Sequence, residues 1–342
     1  MPERASWEAR LNDIWYSADR GRWLQPLATL FAGISGLRRM AYSAGIAQSE
    51  RVAAPVIVIG NITVGGTGKT PLTIFLAQRL RQLGLRPGIA TRGYGRSGKG
   101  VSLVDADSSA EVVGDEALLL FRRSGVPVCV GARRVAAAAR LVEAGCNIVL
   151  CDDGLQHMAL QRDLEIAVVD GARGLGNGRL LPAGPLREAP GRLDSVDLTV
   201  INLPPGPGAG WSRNGALGMR LVGTQAVSML DAARVRDIAD FAGETVHAVA
   251  AIGHPARFFA SLRAAGLTLV EHPFPDHHHF AAADLQFGDT RPVLMTEKDA
   301  VKCSRQGDER LWYVPVEANF EPADERRLLA RVTALLETGE VS

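Results

Sequence analysis

The stretch Thr63-Val-Gly-Gly-Thr-Gly-Lys-Thr70 decides the fold of this chain. It follows the β-branched run Val56-Ile-Val-Ile-Gly60 and precedes Pro71 and a set of apolar residues at helical spacing that ends at Gly84. Glycines in such a loop let backbone N–H groups close around phosphate oxygens, and the helix begins where the anion binds. The pattern therefore predicts a strand, a phosphate-binding loop and a helix.

Side chains of the loop add two more contacts. Lys69 is expected to reach the β- and γ-phosphates, and the Thr70 hydroxyl can bind Mg²⁺. The loop departs from the usual pattern at its first position, where Thr63 replaces glycine. We predict that a nucleoside triphosphate binds to Thr63, Val64, Gly65, Gly66, Thr67, Gly68, Lys69 and Thr70.

Alternating strands and helices follow the loop. Strands are predicted near residues 88–91, 126–130, 147–151, 164–169 and 198–202, and helices near residues 115–124 and 133–144. Such alternation predicts an α/β fold of the P-loop NTPase type, with a doubly wound, mostly parallel sheet covered by helices on both faces.

A second, smaller α/β domain is predicted beyond a proline- and glycine-rich segment at residues 204–215, which is typical of a linker. Its strands are predicted near residues 246–252, 268–272, 292–295 and 311–314, followed by a helix at 322–336. We therefore predict an N-terminal helical segment (1–45), a P-loop core (46–215), a smaller α/β domain (216–320) and a C-terminal helix packed on either domain (321–342).

The N-terminal segment contains an apolar stretch at residues 24–37 with aromatic and arginine neighbours. These neighbours are Trp15, Tyr16, Trp23, Tyr42, Arg20, Arg22, Arg38, Arg39 and Arg51. The stretch is shorter than the roughly 20 residues that span a bilayer. It is either an amphipathic helix at the membrane interface or a helix packed on the protein.

Composition excludes several classes of protein. With 46% hydrophobic and 22% charged residues in 342, the chain is folded and globular. A net charge of +1 argues against a nucleic-acid partner, which requires a large basic surface. The four cysteines lack zinc-site spacing and indicate buried thiols in a reducing compartment. The absence of a cleavable signal agrees with a cytoplasmic location.

Two carboxylates follow the predicted strand in Asn147-Ile-Val-Leu-Cys-Asp-Asp153. In doubly wound sheets, ligands bind beyond the carboxyl ends of the strands. Asp152 or Asp153 can therefore hold Mg²⁺ or its water, as a Walker B aspartate does. The alternative is an ordinary acidic loop.

Other motifs allow more than one interpretation. Asp115 in Val113-Gly-Asp-Glu116 can cap a helix. Asp276-His-His-His279 can supply a base or a residue that orients one, since adjacent histidines point in divergent directions and do not form a three-ligand metal site. The two arginines of Arg92-Gly-Tyr-Gly-Arg96 can bind phosphate or simply be exposed to solvent. Thr296-Glu-Lys-Asp299 can be a loop that contacts a nucleoside or a surface turn.

Together these motifs closely resemble the tetraacyldisaccharide 4′-kinase family of lipid A biosynthesis. They occur in family order over about 240 residues, and the family also departs from the usual pattern at the position of Thr63. The matched segments are Gly60-Asn-Ile-Thr-Val-Gly-Gly-Thr-Gly-Lys-Thr-Pro71, Arg92-Gly-Tyr-Gly-Arg96, Gly114-Asp-Glu116, Asp152-Asp-Gly-Leu-Gln-His157, Gly176-Asn-Gly178, Leu181-Pro-Ala-Gly-Pro-Leu-Arg-Glu188, Phe274-Pro-Asp-His277 and Thr296-Glu-Lys-Asp299.

The resemblance implies transfer of the γ-phosphate of ATP, with Mg²⁺, to the 4′-hydroxyl of tetraacyldisaccharide 1-phosphate, giving lipid IV A. It places the enzyme at the cytoplasmic face of the inner membrane of Gram-negative bacteria and favours an interfacial N-terminal segment. No obligate protein partner is implied.

The resemblance also implies roles for individual residues. Asp115 resembles the carboxylate that helps to deprotonate the sugar hydroxyl, and His277 resembles its partner from the second domain. Lys69 completes the catalytic set. Thr70, Asp152, Asp153 and Glu188 are expected around Mg²⁺ and the phosphates. Arg92, Tyr94 and Arg96 are expected to contact the substrate.

Two other functions are consistent with the P-loop alone. One is an ATPase or GTPase whose hydrolysis switches partner binding, and the other is a kinase of a soluble small molecule. The apolar, arginine-flanked N terminus argues against the second.

Overall fold

The computed structural model describes residues 11, 13–17, 21–204, 210–276, 278–303 and 308–339. Its larger sheet has nine strands, in the order β15-β8-β7-β6-β1-β5-β2-β4-β3. These are β1 (Val56–Gly60), β2 (Pro87–Thr91), β3 (Ser102–Leu103), β4 (Val128–Val130), β5 (Ile148–Asp152), β6 (Leu164–Asp170), β7 (Leu198–Asn202), β8 (Leu217–Val222) and β15 (Glu317–Phe320). The strands from β8 to β4 are parallel, and the edge strands β15 and β3 are antiparallel to their neighbours.

The smaller sheet has six strands, in the order β10-β9-β14-β13-β11-β12. They are β9 (Gln225–Ser228), β10 (Val235–Asp237), β11 (Thr245–Ala250), β12 (Thr268–Pro273), β13 (Val293–Thr296) and β14 (Leu311–Val314). Strands β12, β11, β13 and β14 pair in parallel, whereas β9 is antiparallel to both of its neighbours, β14 and β10. The predicted α/β fold with mostly parallel pairing is confirmed.

Helices connect these strands. Within residues 21–339, as far as they are described, the α-helices are α1 (Gln25–Ser43), α2 (Lys69–Gln82), α3 (Ala110–Val113), α4 (Asp115–Ser124), α5 (Arg134–Glu143), α6 (Pro255–Ala264), α7 (Glu297–Ala300) and α8 (Pro322–Gly339). Short 3₁₀ helices occur at Arg22–Leu24, Pro190–Asp194, Ile238–Phe241 and Ala282–Leu285.

The core lies on both faces of the nine-stranded sheet. Each residue of β1 and β5 is buried, which explains why these strands are continuous apolar runs rather than alternating ones. Helix α2 packs on one face through Leu72, Leu76 and Leu80, and α5 packs on the other. The four cysteines are free and buried, as predicted.

The chain passes between the two sheets through short connections. Strand β8 ends at Val222 and β9 begins at Gln225, and the return path joins Val314 of β14 to Glu317 of β15. Helix α8 also belongs beside the larger sheet, where Asp324 accepts a 2.7 Å hydrogen bond from the Gly218 N–H. The four-segment division stays a prediction, and part of its linker, residues 205–209, lies outside the described residues.

Helix α1 packs by one face only. Leu24, just before the helix, and Ala28 are buried against Ala183, whereas a row of apolar side chains on another face is exposed. This exposed row consists of Trp23, which precedes the helix, and of Leu27, Leu30, Ile34, Leu37 and Met40, each more than half exposed. In the part of the chain that the structure describes, no helix is both long and apolar enough to cross a membrane.

Candidate active site

The phosphate loop follows β1 and continues into the first turn of α2, as predicted, and polar side chains hold its backbone. Asn61 donates to the Gly65 carbonyl (3.3 Å), Arg173 to the Gly66 carbonyl (3.3 Å) and Asn202 to the Thr67 carbonyl (3.1 Å). Because these carbonyls are already bonded, the loop is held in one shape. Backbone N–H groups of such a loop are the donors that bind phosphate oxygens.

The backbone conformation of the loop requires glycine at two positions. Gly65 and Gly68 have φ of 103° and 98°, which side-chain-bearing residues rarely adopt. A Cβ atom at Gly68 would also lie 2.9 Å from Asn202 Nδ2.

Thr63, which occupies the position where phosphate loops usually have glycine, pairs with a neighbouring segment of the chain. Thr63 is buried and forms an antiparallel bridge with Leu186, and the neighbouring Val64 N–H donates a 2.8 Å hydrogen bond to the Pro185 carbonyl. The first residue of the loop therefore pairs with the segment that contains Arg187 and Glu188.

Asp153 forms ion pairs with two cations at the carboxyl end of β5. Its Oδ1 lies 3.6 Å from Lys69 Nζ, and Arg187 donates to both of its oxygens at 3.2 and 3.3 Å. Burial acts to raise the pKa of Asp153, but Lys69 and Arg187 outweigh it and lower the pKa to about 2. Asp153 also has φ of 50°, so the backbone turns sharply at this residue.

Asp152 differs from its neighbour because it is fully enclosed. Thr73 donates a 2.9 Å hydrogen bond to its Oδ1. Burial and the negative charge of Glu116 raise the pKa of Asp152 to about 7, although Lys69 opposes the change. A carboxyl in this environment is stabilised as an anion when a cation binds beside it.

Glu188 is held by three side chains. Gln156 donates to its Oε1 at 2.7 Å, Arg192 lies 3.3 Å from its Oε2, and Arg39 of α1 donates to the same oxygen. Glu188 is buried, whereas Arg39 is partly exposed. The contact with Arg39 joins α1 to the acidic residues of the site.

Asp115 is the first residue of α4 and is buried. Its carboxylate accepts a 2.8 Å hydrogen bond from the Glu116 N–H, and an acid in the first helical turn is favoured by the helix dipole. Lys298 approaches the same helix end from the smaller sheet, with its Nζ 3.0 Å from Glu116 Oε1 and 3.7 Å from Asp276 Oδ1. The charges of Glu116, Asp276 and Asp115 raise the pKa of Lys298 although burial opposes them.

The predicted substrate residues lie on the loop after β2. Arg92 and Tyr94 are exposed and line the cleft, whereas a guanidinium nitrogen of Arg96 donates to the Gly100 carbonyl. Gly93 packs directly on the Val113 carbonyl, which brings this loop to the beginning of α4. The predicted residue His277 lies outside the described residues, although its neighbour Asp276 is at the site.

One cleft of about 1170 Å³ is lined by side chains from each of these segments, including Lys69, Asp153, Glu188 and Glu116. Its walls come from the phosphate loop, the carboxyl ends of the large sheet, the smaller sheet and helix α1, which contributes Phe31, Ser35, Arg38 and Arg39. Single-ligand sites usually occupy about 300–1,000 Å³, so the cleft has room for two substrates.

Sequence reasoning missed Asn202 and Arg173 as residues of the site, and it named Lys298 and Arg39 without predicting their contacts. Asn202 and Arg173 hold the phosphate loop, and Lys298 and Arg39 bring charges from distant segments. Asn202 ends a predicted strand, so its position at the ligand-binding edge was a usable signal. No sequence pattern around Arg39 or Lys298 indicates which acid either residue contacts.

The protein offers few side chains as ligands for a metal ion in this cleft. Among the residues that the structure describes, no group of three or more His, Cys, Asp or Glu side chains could hold a metal ion. Mg²⁺ commonly uses one or two carboxylates together with substrate phosphates and water, and Asp152 and Asp153 provide such a pair next to Thr73 and Lys69 of α2.

Comparison with known proteins gives a consistent result. The family model described as tetraacyldisaccharide-1-P 4′-kinase matches residues 20–334. A tetraacyldisaccharide 4′-kinase of Alkalilimnicola ehrlichii is 50% identical over 329 residues, covering 92% of this chain and 94% of that protein. One from Xanthomonas campestris pv. campestris is 49% identical over 321 residues, covering 90% and 91%.

A solved structure shares this architecture. The crystal structure of the "apo" form of LpxK from Aquifex aeolicus in complex with ATP superposes with a TM-score of 0.76 at 26% identity. The match covers 92% of this chain and 98% of that one.

Proposed function

Because the chain belongs to the tetraacyldisaccharide-1-P 4′-kinase family, we propose that it transfers the γ-phosphate of ATP to the 4′-hydroxyl of tetraacyldisaccharide 1-phosphate. The product is lipid IV A, an intermediate of lipid A biosynthesis. The chain is thus an ATP-dependent kinase with an alcohol group as acceptor. The observation that carries this proposal is one cleft lined by the phosphate loop, by Glu116 next to Asp115 at the start of α4, and by a face of α1.

ATP binds at the phosphate loop from Thr63 to Thr70. The loop N–H groups and the Lys69 ammonium contact the phosphates, and the charge of Lys69 offsets the negative charge that spreads over the transferred group. In the described structure Lys69 lies beside Asp153. The ammonium is therefore already directed to the end of β5 where the acids converge.

Mg²⁺ fits the oxygen donors of Thr70, Asp152 and Asp153. The buried Asp152 has the raised pKa expected of an acid that a cation would stabilise in its charged form. When bound, Mg²⁺ neutralises charge on the phosphates. Glu188 remains a predicted member of this group, but its oxygens already accept from Gln156 and Arg39, which supports a role in orienting the site.

Asp115 acts as the base that accepts the proton of the acceptor hydroxyl. Its place at the start of α4 and beside the loop of Arg92 and Tyr94 supports this role, because the acceptor must enter past these exposed residues. Arg92, Tyr94 and Arg96 are proposed to contact the acceptor. Transfer has a loose transition state, so the base adds to a rate that mainly depends on in-line positioning.

His277 is proposed to assist Asp115. Its neighbour Asp276 lies 3.7 Å from Lys298, whose ammonium also contacts the helix of Asp115. Closure of the two sheets around both substrates would complete the site and exclude water, which would otherwise hydrolyse ATP.

The exposed apolar row on α1 supports work at a membrane surface. Its side chains occur at helical spacing on one face, and the same helix lines the cleft through Phe31 and Arg38. A helix with this pattern lies in the interface, with its apolar face in the acyl boundary. We place the enzyme at the cytoplasmic face of the inner membrane, where it would meet its acylated substrate.

Release of ADP in the presence and absence of the acylated disaccharide tests the proposal. A lipid kinase forms ADP rapidly only when the lipid is present. Hydrolysis that is independent of lipid and responds to a protein partner would instead support a P-loop switch. Turnover with a soluble sugar but not with the lipid would support a kinase of small molecules.

A further inference from the structure

Helix α4, which begins with Asp115, contacts the smaller sheet at two points. Near its C-terminal end, an Arg123 guanidinium nitrogen lies 2.7 Å from Glu297 Oε2, and both side chains are largely buried. At its N-terminal end, Lys298 Nζ lies 3.0 Å from Glu116 Oε1. Residues 116 and 123 are seven positions apart, which is about two helical turns, so both contacts lie on the same side of the helix.

The two partners on the smaller sheet are adjacent in sequence and belong to α7. Glu297 therefore contacts one end of α4, and Lys298 contacts the other. A short helix that spans two turns of its neighbour restrains both the position and the direction of that neighbour.

Helix α7 is itself held rigidly. Asp299 is fully buried, and its Oδ2 accepts from the Thr296 hydroxyl at 2.6 Å and from the Ala251 N–H at 2.9 Å. Its Oδ1 lies 2.6 Å from the Lys302 ammonium, which is also buried. These bonds join α7 to the end of β11, where Gly253 packs on the Gly66 N–H of the phosphate loop.

We propose that Glu297 and Lys298 are positioning residues that set the place of Asp115 relative to the bound phosphates, acting through α4. The inference rests on the proposed role of Asp115 as the base. Through Asp299 the same short helix is bonded to the segment beside the phosphate loop. One rigid unit therefore contacts both the helix that bears the base and the loop that bears the donor.

The distance between Arg123 and Asp115 makes the proposal testable. Eight residues of helix correspond to about 12 Å, so Arg123 lies far from the reacting atoms. A displacement of about 1 Å in a catalytic group can lower the rate on the order of 100-fold. Loss of the pair between Arg123 and Glu297 should therefore reduce kcat without removing a substrate contact made by Arg123.

A double-mutant cycle in the full-length protein tests the pair. The variants are Arg123→Gln, Glu297→Gln and the double variant, and Arg122→Gln is the matched control because Arg122 is exposed on the same helix. Phosphorylation of tetraacyldisaccharide 1-phosphate is measured for kcat and for KM of ATP, together with the thermal midpoint of each protein.

We expect each single variant to lower kcat about tenfold while KM for ATP changes less than about twofold. The double variant should be no slower than the slower single variant, since the second change removes no further contact between α4 and α7; the pair of Arg123 with the exposed Glu317 is lost in Arg123→Gln and in the double variant alike. Arg123→Lys, which keeps the charge, should recover most of the rate. The control should match the unmodified enzyme.

Two results would overturn the inference. One is a kcat within about twofold of the unmodified enzyme in both single variants. The other is a loss of rate that follows the fall in thermal midpoint and is as large for ATP binding as for kcat, which would indicate a purely structural pair. Failure of the unmodified enzyme to make product would instead contradict the proposed function.

Discussion

Lys69 Nζ of the phosphate loop lies 3.6 Å from Asp153 Oδ1 at the end of β5. The pair joins the residue expected to bind the γ-phosphate to a residue expected to bind Mg²⁺. Arg187 contacts the same carboxylate at 3.2 Å, so Asp153 balances two cations. Phosphate oxygens must therefore compete with Asp153 for Lys69, and a metal ion must compete with Lys69 for Asp153.

Replacement of Asp153 by Asn should separate these two effects. Asn tolerates the φ of 50° at this position, so the backbone should be retained. We expect ATP to bind a few-fold more tightly in EDTA, because Lys69 loses its competing anion. Turnover with Mg²⁺ should fall at least about tenfold. Calorimetric titration and kinetics measure the two effects, and weaker ATP binding in EDTA would contradict this account.

Replacement of Asp115 by Asn should affect the chemical step. A general base commonly contributes about 10²- to 10⁴-fold, so kcat should fall within that range while the Kd of ATP stays nearly constant. Asp107→Asn, at an exposed position in the loop before α3, is the control. Equal weakening of turnover and ATP binding would show that Asp115 merely caps α4.

Replacement of Asp152 by Asn should stabilise the protein at high pH in EDTA. The pKa of Asp152 is raised from 3.8 to about 7, so the native protein binds a proton that the unfolded chain has lost between these values. The free energy of unfolding is therefore highest, as far as Asp152 is concerned, below pH 4. It falls as the pH rises from 4 to 7, because the unfolded chain releases a proton that the native protein retains. The loss in the free energy of unfolding between pH 4 and pH 8 amounts to about a few kcal/mol, since one pKa unit corresponds to about 1.4 kcal/mol.

Thermal unfolding measures this effect. The Asn variant should have a midpoint several degrees above that of the unmodified protein at pH 8, and the difference should shrink toward pH 4. Thr73 can still donate its hydrogen bond to the amide oxygen, so the packing is retained. A variant that is less stable at pH 8, or a difference that does not depend on pH, would contradict the predicted titration.

Charges in the exposed row of α1 should reduce binding to membranes. The double change Leu30→Glu and Ile34→Glu places two carboxylates where the acyl boundary is expected, and we expect partition onto anionic vesicles to fall at least about tenfold. Leu83→Glu is the control, because Leu83 is also exposed but lies after α2. An unchanged vesicle-bound fraction in a sedimentation assay would refute the interfacial role.

Much of the fold could be predicted from the sequence because its signals are local. The β-branched run before Thr63 predicted β1, and apolar residues at helical spacing predicted α2. The site at the carboxyl ends of β1 and β5 followed from the general geometry of doubly wound sheets. Asp152 and Asp153 lie there, as expected.

The remaining features depend on contacts between distant residues. Strand β15 pairs with β8 across almost a hundred residues, and neither strand has a pattern that names its partner. Lys298 contacts Glu116 across 182 positions, and Arg39 reaches Glu188 across 149. Such pairs form because the fold brings them together, so local periodicity and composition do not predict them.

Transfer of label from γ-³²P-ATP to tetraacyldisaccharide 1-phosphate tests the central claim most directly. The purified protein, with Mg²⁺ and the lipid in mixed micelles, should yield a labelled bisphosphorylated lipid on thin-layer chromatography. Lys69→Met should yield at least about a hundredfold less, since it removes the charge on the γ-phosphate. Release of labelled inorganic phosphate without any labelled lipid, from a protein that binds ATP, would contradict the account.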